Sequence, residues 1–488
     1  MIKTMPVVWL SCALLVVALA AALLAGCGGA SSVSSPMPAP LSADNVNLIF
    51  VVSEDLAYHA AGDINPSTAN LTNQGLQRSL EMGGFLQESV LGGKNVSAVY
   101  ALEPMTHLET ANHYPDLVPL VTIEQFAMLN QIGLSDGKNP PTVANSYPIL
   151  ASYSPESVPA GVAPPVFPCS ACVGLDSKDT GSDNETLVSG IVQGDVPGFY
   201  VFSAPWDTVS SLMANINRLG VYNLILPAGY AGPNYVYAIS ITPSGSATLV
   251  TYNSNLDPPS AYPELPAGKI VSVPCAATPF RIQVTGSSGA VIPPGIDTNE
   301  TVYFIRHAEA HPTPAWEDGN YVAAGQWRAL ALPNVLRGKI HPTQVISIDP
   351  ANAIPAGAMR AASSYVRTTL TVEPYAIANG LPHNVASGVA VFAQNPPQLS
   401  TAASNYFFTG GQFSNQTLLV AWEHKHIPAT VNALLASYGS GQTAPNWPDD
   451  DYDTIWTVKL DEESNLTVDN ETCEGINSAA LPSTPPRF

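Results

Sequence analysis

The sequence predicts an α/β protein made of two tandem domains, and three observations predict it. An apolar run at 302–305 has the length and the β-branched and aromatic content of a buried strand, and it ends in Arg306 and His307. Further apolar runs at 345–348 and 418–422 alternate with helix-like segments, the pattern of a mostly parallel sheet. The amino-terminal half then carries runs of the same kind in the same order.

The first run matters most because ligands of open α/β sheets bind at the carboxyl ends of the strands. An arginine there offers a planar fork of donors to a phosphate, and a neutral imidazole beside it can act as a nucleophile. Downstream, Gly325, Arg328 and Leu330 lie in a segment that opens a helix, and 345–350 reads as a second strand ending in Asp349-Pro350. Arg367 heads a segment that runs to a stop at Gly380. The run at 418–422 is a third strand, closed by Glu423 and His424. Pro428 suits a first helical turn and Gly439 a helix end, while Val431, Leu434, Leu435 and Tyr438 recur on one face between them. His424 therefore stands just ahead of a helix amino terminus, where anions are favoured.

Taken in order over roughly 299–466, these residues resemble the histidine phosphatase superfamily. The resemblance implies a three-layer α/β/α, phosphoglycerate-mutase-like fold with a mostly parallel central sheet. It also implies a phosphomonoesterase with His307 as the nucleophile and Arg306, Arg367 and His424 as the phosphate pocket. No metal or other cofactor is implied, and the partner is a phosphorylated small molecule. The mutase reaction is disfavoured, since an exported enzyme lacks a cytosolic phosphorylated primer. The family's acidic proton donor has no clear counterpart between 379 and 409, and Lys425 follows His424 where the acid phosphatase branch has an aspartate. Glu423 is the candidate donor, weighed against a role as a cap or ion-pair partner. Glu309 is read as structural, and His311 and His426 as substrate contacts weighed against plain hydrogen bonding.

The amino-terminal half reads as a second copy. Residues 47–54, 71–80, 99–104, 123–127, 200–205 and 235–241 parallel 302–308, 322–330, 345–350, 372–376, 419–424 and 454–460. The chemistry is missing from it: Val52 stands for Arg306, Ser53 for His307, Val118 for Arg367, and Ala204 or Pro205 for His424. The expected organisation is a signal peptide at 1–27, a tether at 28–44, a degenerate domain at 45–284, a linker at 285–299 and a phosphatase domain at 300–488. The stretch 131–193 reads as a long Pro/Gly/Ser/Asp-rich insertion.

Lys3 and an apolar region through Leu24 form a secretory signal, and Leu24-Ala25-Gly26-Cys27 resembles a bacterial lipobox. This resemblance implies lipid attachment at Cys27 and a place in the cell envelope, at the outer membrane because Gly28 is not aspartate. The mature chain would then keep Cys169, Cys172, Cys275 and Cys473, an even number in an exported protein, so disulfides are expected. Three pairings are possible, and Cys169–Cys172 with Cys275–Cys473 is the one expected here. A net charge of −21 with only 17 basic residues argues against nucleic acid as a partner. The oligomeric state is not legible.

Two rival readings stand beside the phosphatase. His307, His311, His424, His426 and the run Asp449-Asp450-Asp451 could form a metal cluster. Alternatively, both copies could be inactive, leaving a surface lipoprotein that only binds. The intact series Arg306, His307, Arg367, His424 favours phosphate chemistry, and no Gly-x-Ser-x-Gly elbow marks a serine hydrolase. For the anchor, Cys27→Ser should release the protein from membranes on fractionation, and unchanged membrane association would refute the lipobox.

Overall fold

The computed structural model describes residues 37–134, 142–144, 146–152, 157–160, 174–311, 318–354, 363–390 and 396–488. Cys27, Cys169 and Cys172 lie outside these residues. From Ala39 onward the chain forms one compact unit. Among the described residues, no helix is long and apolar enough to cross a membrane.

Two sheets organise that unit. The first is six-stranded and contains β1 (Val46–Val52), β2 (Ala98–Ala101), β3 (Ile149–Leu150), β4 (Gly198–Ala204), β5 (Tyr235–Ile241) and β6 (Ala247–Asn253), in the order β6-β5-β1-β4-β2-β3. The second is seven-stranded and contains β7 (Arg281–Val284), β8 (Glu300–Arg306), β9 (Gln344–Ile348), β10 (His383–Ala386), β11 (Thr417–Trp422), β12 (Thr454–Leu460) and β13 (Leu466–Cys473). Its order is β7-β13-β12-β8-β11-β9-β10. Apart from the added edge strand β7, the two orders are the same. In each sheet four strands are parallel (β1, β4, β2, β3 and β8, β11, β9, β10). In each, the strand after the last helix joins the first strand antiparallel.

The parallel strands are buried on both faces, as their unbroken apolar runs require. Ile49 and Val51 of β1 point into one core, Leu48 and Phe50 into another. Helices α1 (Asn73–Phe85), α2 (Val118–Leu129), α5 (Ala323–Val335) and α6 (Arg367–Asn379) share the first of these cores through Leu76, Leu80, Ile123, Phe126, Leu330 and Leu370. On the outer faces, α3 (Asp183–Gly194) and α4 (Trp206–Gly220) cover the first sheet. The second sheet is covered by α7 (Pro396–Phe408) and α8 (His426–Ser437). The fold is thus two tandem three-layer α/β/α domains of the phosphoglycerate-mutase-like kind, with a layer of four helices between the sheets.

Polar contacts join the two domains across that middle layer and at the strand ends. Gln326 Nε2 donates to Glu124 Oε1 at 3.1 Å and to Gln125 Oε1 at 2.7 Å, and the Tyr321 hydroxyl also bonds Glu124. Burial pushes the Glu124 carboxyl up to about 8. Glu103 and Asp349, matched ends of β2 and β9, are buried against each other. Burial and the facing Asp349 carboxyl hold Glu103 well above the usual range, and burial raises Asp349 to about 6.

Several boundaries differ from those read in the sequence. The segment 131–193 is more than an insertion, because it supplies β3 and α3, the counterparts of β10 and α7. The tether ends early: Leu41 is buried and its N–H donates to Val90 O at 3.0 Å. The second domain begins before 285, since β7 pairs with β13 (Arg281 opposite Asp469) and Cys275 is disulfide-bonded to Cys473. The carboxyl-terminal tail crosses back to the first domain, where Gln125 Nε2 donates to Pro486 O at 2.8 Å.

The shared middle layer makes a direct prediction. Expressed alone, residues 271–488, which keep β7 and the Cys275–Cys473 disulfide, expose the apolar face of α5 and α6 and should aggregate or elute as oligomers on size exclusion. A soluble, monomeric fragment with full turnover would show that the first domain is dispensable.

Candidate active site

His307 follows the last residue of β8, and its N–H donates to Trp422 O of β11 at 3.1 Å. The next amide, Ala308 N–H, donates to Thr371 Oγ1 at 2.9 Å, and Thr371 in turn donates to Arg367 O at 2.6 Å. The loop carrying the histidine is therefore tied to the first turn of α6. Glu309 continues the loop and is held by Arg328, whose Nε and Nη2 donate to it at 2.8–3.0 Å. Arg328 also bonds Glu474 and has no exposed side-chain surface. Removing one partner of such a buried pair costs about 3–5 kcal/mol. Gly325 lets α5 approach the loop, for a Cβ there would lie 2.6 Å from Glu309 O. Gly75, its counterpart, has Asp63 O at 2.1 Å from the same position.

The His307 ring is 2% exposed. Its Nδ1 lies 2.8 Å from Ala308 O, a group that only accepts, so Nδ1 carries the proton and Nε2 keeps its lone pair. Burial, with the charges of Arg367 and Arg306, pushes the imidazole well below its usual pKa. At neutral pH it is uncharged.

Arg306 and Arg367 flank this ring, each stacked on a tyrosine that sequence reading did not single out. Arg306 Cζ lies 3.7 Å from the Tyr452 ring centre and Arg367 Cζ 4.5 Å from that of Tyr365. Both tyrosines meet the His307 ring edge-on at 6.2 Å. Arg306 Nη1 donates to Asp449 O at 2.6 Å and Asp451 O at 3.2 Å, and Nη2 to the Tyr452 hydroxyl at 3.1 Å. Its Nε is buried with no hydrogen-bond partner among the described residues. Arg367 is buried at the first position of α6, a helix end that favours anions.

His424 Nε2 lies 3.0 Å from Asp449 Oδ1, a side chain that is 80% exposed at the pocket rim. Glu423 does not match the proton donor expected from the sequence. Its Oε2 accepts from Lys425 N at 2.8 Å and His426 N at 3.2 Å, capping α8. Its Oε1 lies 2.6 Å from His424 Nδ1, a charge contact off hydrogen-bond angles. Burial opposes ionisation of Glu423, but His424, His426 and the cap bonds outweigh it and hold the carboxyl at about 2. A carboxylate so placed orients His424 and carries no proton at neutral pH.

His311 also departs from expectation. Its Nε2 is taken by Asp318 Oδ2 at 3.2 Å and Ser146 Oγ at 3.3 Å, so it joins the two domains. The rival metal cluster does not assemble: among the described residues, the only trio of donors close enough to share an ion is Asp55, His107 and Glu109 in the first domain. Asp451 is spent on its own turn, accepting from Asp453 N, Thr454 N and Thr454 Oγ1.

Strand register fixes the counterparts in the first domain. β1 pairs Val52 with Ala204, as β8 pairs Arg306 with Trp422. Val52 and Ser53 therefore stand for Arg306 and His307, and Trp206, one step beyond the residues expected, stands for His424. Val118 opens α2 as Arg367 opens α6. Among the described residues, the arginine-histidine pocket is found in the second domain alone.

No protein-family model matches the chain, and neither does any curated protein. Solved structures that align with it include a mycobacterial glucosyl-3-phosphoglycerate phosphatase, at 14% identity and a TM-score of 0.22, over 35% of this chain and 97% of that one. Another is SixA from Nakamurella multipartitia, described as a phosphohistidine phosphatase, at 16% identity and a TM-score of 0.21, over 40% and 96%. Both are phosphatases by name, but at these scores the likeness assigns no activity. The side chains have to carry it.

The electrostatics can be measured directly. In an NMR titration of the free protein the His307 ring should stay neutral at pH 6.5, and Arg367→Ala should raise its pKa by removing a depressing charge. A ring that titrates at or above 6.5 would contradict this description of the pocket.

Proposed function

We propose that the second domain hydrolyses a phosphomonoester through a phosphohistidine on His307, as in the histidine phosphatase superfamily. The observation that carries the reading is a buried, neutral imidazole with a free Nε2 lone pair between two arginines, one of which keeps an unpartnered buried donor. Nε2 attacks phosphorus, the P–N bond forms, and the alkoxide leaves and takes a proton from solvent. Water then attacks phosphorus, the P–N bond breaks, and inorganic phosphate leaves with His307 restored. Splitting the reaction spares a direct attack by water on the ester. Charge grows on the equatorial oxygens at each step, and Arg306 and Arg367 supply the matching positive potential, with His424 lining the same pocket.

Glu423 serves this chemistry as a positioning residue for His424. Burial lowers the pKa of His426, and the neighbouring His424 lowers that of the exposed Asp449. None of these three candidate donors among the described residues is held protonated at neutral pH, so in this reading the leaving group departs largely on its own acidity. The substrate class this favours is a phosphate with a good leaving group. The first domain acts as a degenerate copy that scaffolds the second, and a lipid on Cys27 holds the protein in the cell envelope.

Turnover of aryl phosphates tests the reading. His307→Ala should abolish p-nitrophenyl phosphate hydrolysis with circular dichroism unchanged, and Arg367→Ala should cost about 10²–10³-fold, as loss of a preorganised transition-state donor does. Ser53→Ala should be silent. Rates across an aryl series should climb steeply with leaving-group acidity. Wild-type turnover in His307→Ala would end the phosphohistidine mechanism, and a flat series would mean that a proton donor is present.

A further inference from the structure

We infer that the first domain carries a divalent transition-metal site made by Asp55, His107 and Glu109, at the place where the second domain holds its anion pocket. The three residues each bring one ligand atom, all within 4.8 Å of one another. Asp55 lies three residues beyond β1, His107 follows the turn after β2, and Glu109 sits in the short strand Leu108–Glu109. These are the strand ends at which the other domain presents Arg306, His307 and Asp349.

The geometry is that of ligands lacking their ion. Asp55 Oδ1 accepts from Ala57 N at 2.6 Å, which leaves Oδ2 toward His107 Nε2 at 3.6 Å. That separation is too long for a good hydrogen bond. It fits two donors each about 2.1 Å from one tetrahedral ion, which stand roughly 3.4 Å apart. Glu109 is 6% exposed; its Oε1 accepts from Leu56 N at 3.1 Å, while its Oε2 is buried with no hydrogen-bond partner. An unpaired buried carboxylate oxygen is costly, and a dication answers it.

Around the trio the supporting contacts are in place. Asp116 Oδ2 accepts from His107 Nδ1 at 3.0 Å, and Asp116 is fixed in turn by Val118 N–H at 3.1 Å. This carboxylate–histidine arrangement turns the Nε2 lone pair outward and is the usual outer support of a metal-bound imidazole. Asp55 is available because the arginine of α1 is engaged elsewhere: Arg78 Nε pairs with Asp63 Oδ2 at 2.6 Å, whereas Arg328 holds Glu309, the register counterpart of Asp55. The His107 side chain is 27% exposed, which gives an ion access and leaves room for water or substrate as a further ligand. One imidazole with two carboxylates suits Zn²⁺ or Mn²⁺ better than the all-oxygen ions Ca²⁺ and Mg²⁺.

The proposal stands apart from the phosphatase reading and is tested without an activity assay. Full-length protein stripped with EDTA and titrated with Zn²⁺ against a competing chelator should bind one equivalent through these residues. His107→Ala and Glu109→Gln should each weaken that binding at least tenfold, Asp116→Asn by about 10–100-fold, and the exposed-residue control His341→Ala not at all. Independently of any variant, Co²⁺ added to the wild type should shift the His107 imidazole resonances and spare those of His341. Zn²⁺ affinity unchanged in His107→Ala and Glu109→Gln, or unshifted His107 signals, would overturn the site and leave a proton-held histidine–carboxylate network.

Discussion

Burial of one helical layer between two sheets is the constraint on which the rest of this structure depends. α1 and α2 from one domain and α5 and α6 from the other share a single apolar core. Neither pair could leave it without exposing Leu76, Phe126 or Leu370 to water, at about 1.5–3 kcal/mol for each large side chain. The layer also aims the chemistry. α6 begins with Arg367, and through Thr371 it holds the amide next to His307. α5 carries Arg328, which fixes Glu309 in the same loop. The pocket thus hangs from helices whose other faces are locked against the partner domain, and a change at the domain junction should be felt at the nucleophile.

The same scaffold presents opposite electrostatics in its two copies. At the end of β8 the second domain gathers arginines around a neutral histidine. At the end of β1 the first domain replaces them with Val52 and Ser53 and gathers carboxylates around His107. Only the side chains at the strand ends need change for this, because strand order, helix positions and the close-approach glycines Gly75 and Gly325 are kept. Function here belongs to the loops at one edge of the sheet, while the fold belongs to the apolar runs beneath them.

Much of the scaffold was legible in the sequence because it is written in local signals. The apolar runs at β8, β9 and β11, the stop at Gly380 with its positive φ of 62°, and the amphipathic face of α8 all depend on residues close in sequence. The repeat was legible for the same reason, and only the counterpart of His424 slipped by a residue, since a hand alignment has no strand register to pin it. What could not be read is what depends on distant partners. Tyr452 lies in an acidic turn and Tyr365 two residues ahead of an arginine, and nothing local marks either as a platform for a guanidinium. Glu423 could have been a donor or a cap; the decision came from Lys425 and His426 turning their amides onto it. His311 is engaged by Asp318 and by Ser146, a residue of the other domain.

That last contact shows how the first domain bears on a pocket built from the second. Ser146 also donates to Asp318 at 2.9 Å, and Ala151 N–H donates to Ser364 Oγ at the same distance, next to Tyr365 and the start of α6. The stretch of the first domain that read as an insertion therefore shapes the approach to Arg367. Loss of the first domain would expose the middle helices and also free the segment that sets Tyr365 beneath the guanidinium. Arg367 stacks on Tyr365 with its Cζ 4.5 Å from the ring centre, so a contact made by the first domain reaches the pocket through the ring beneath the guanidinium.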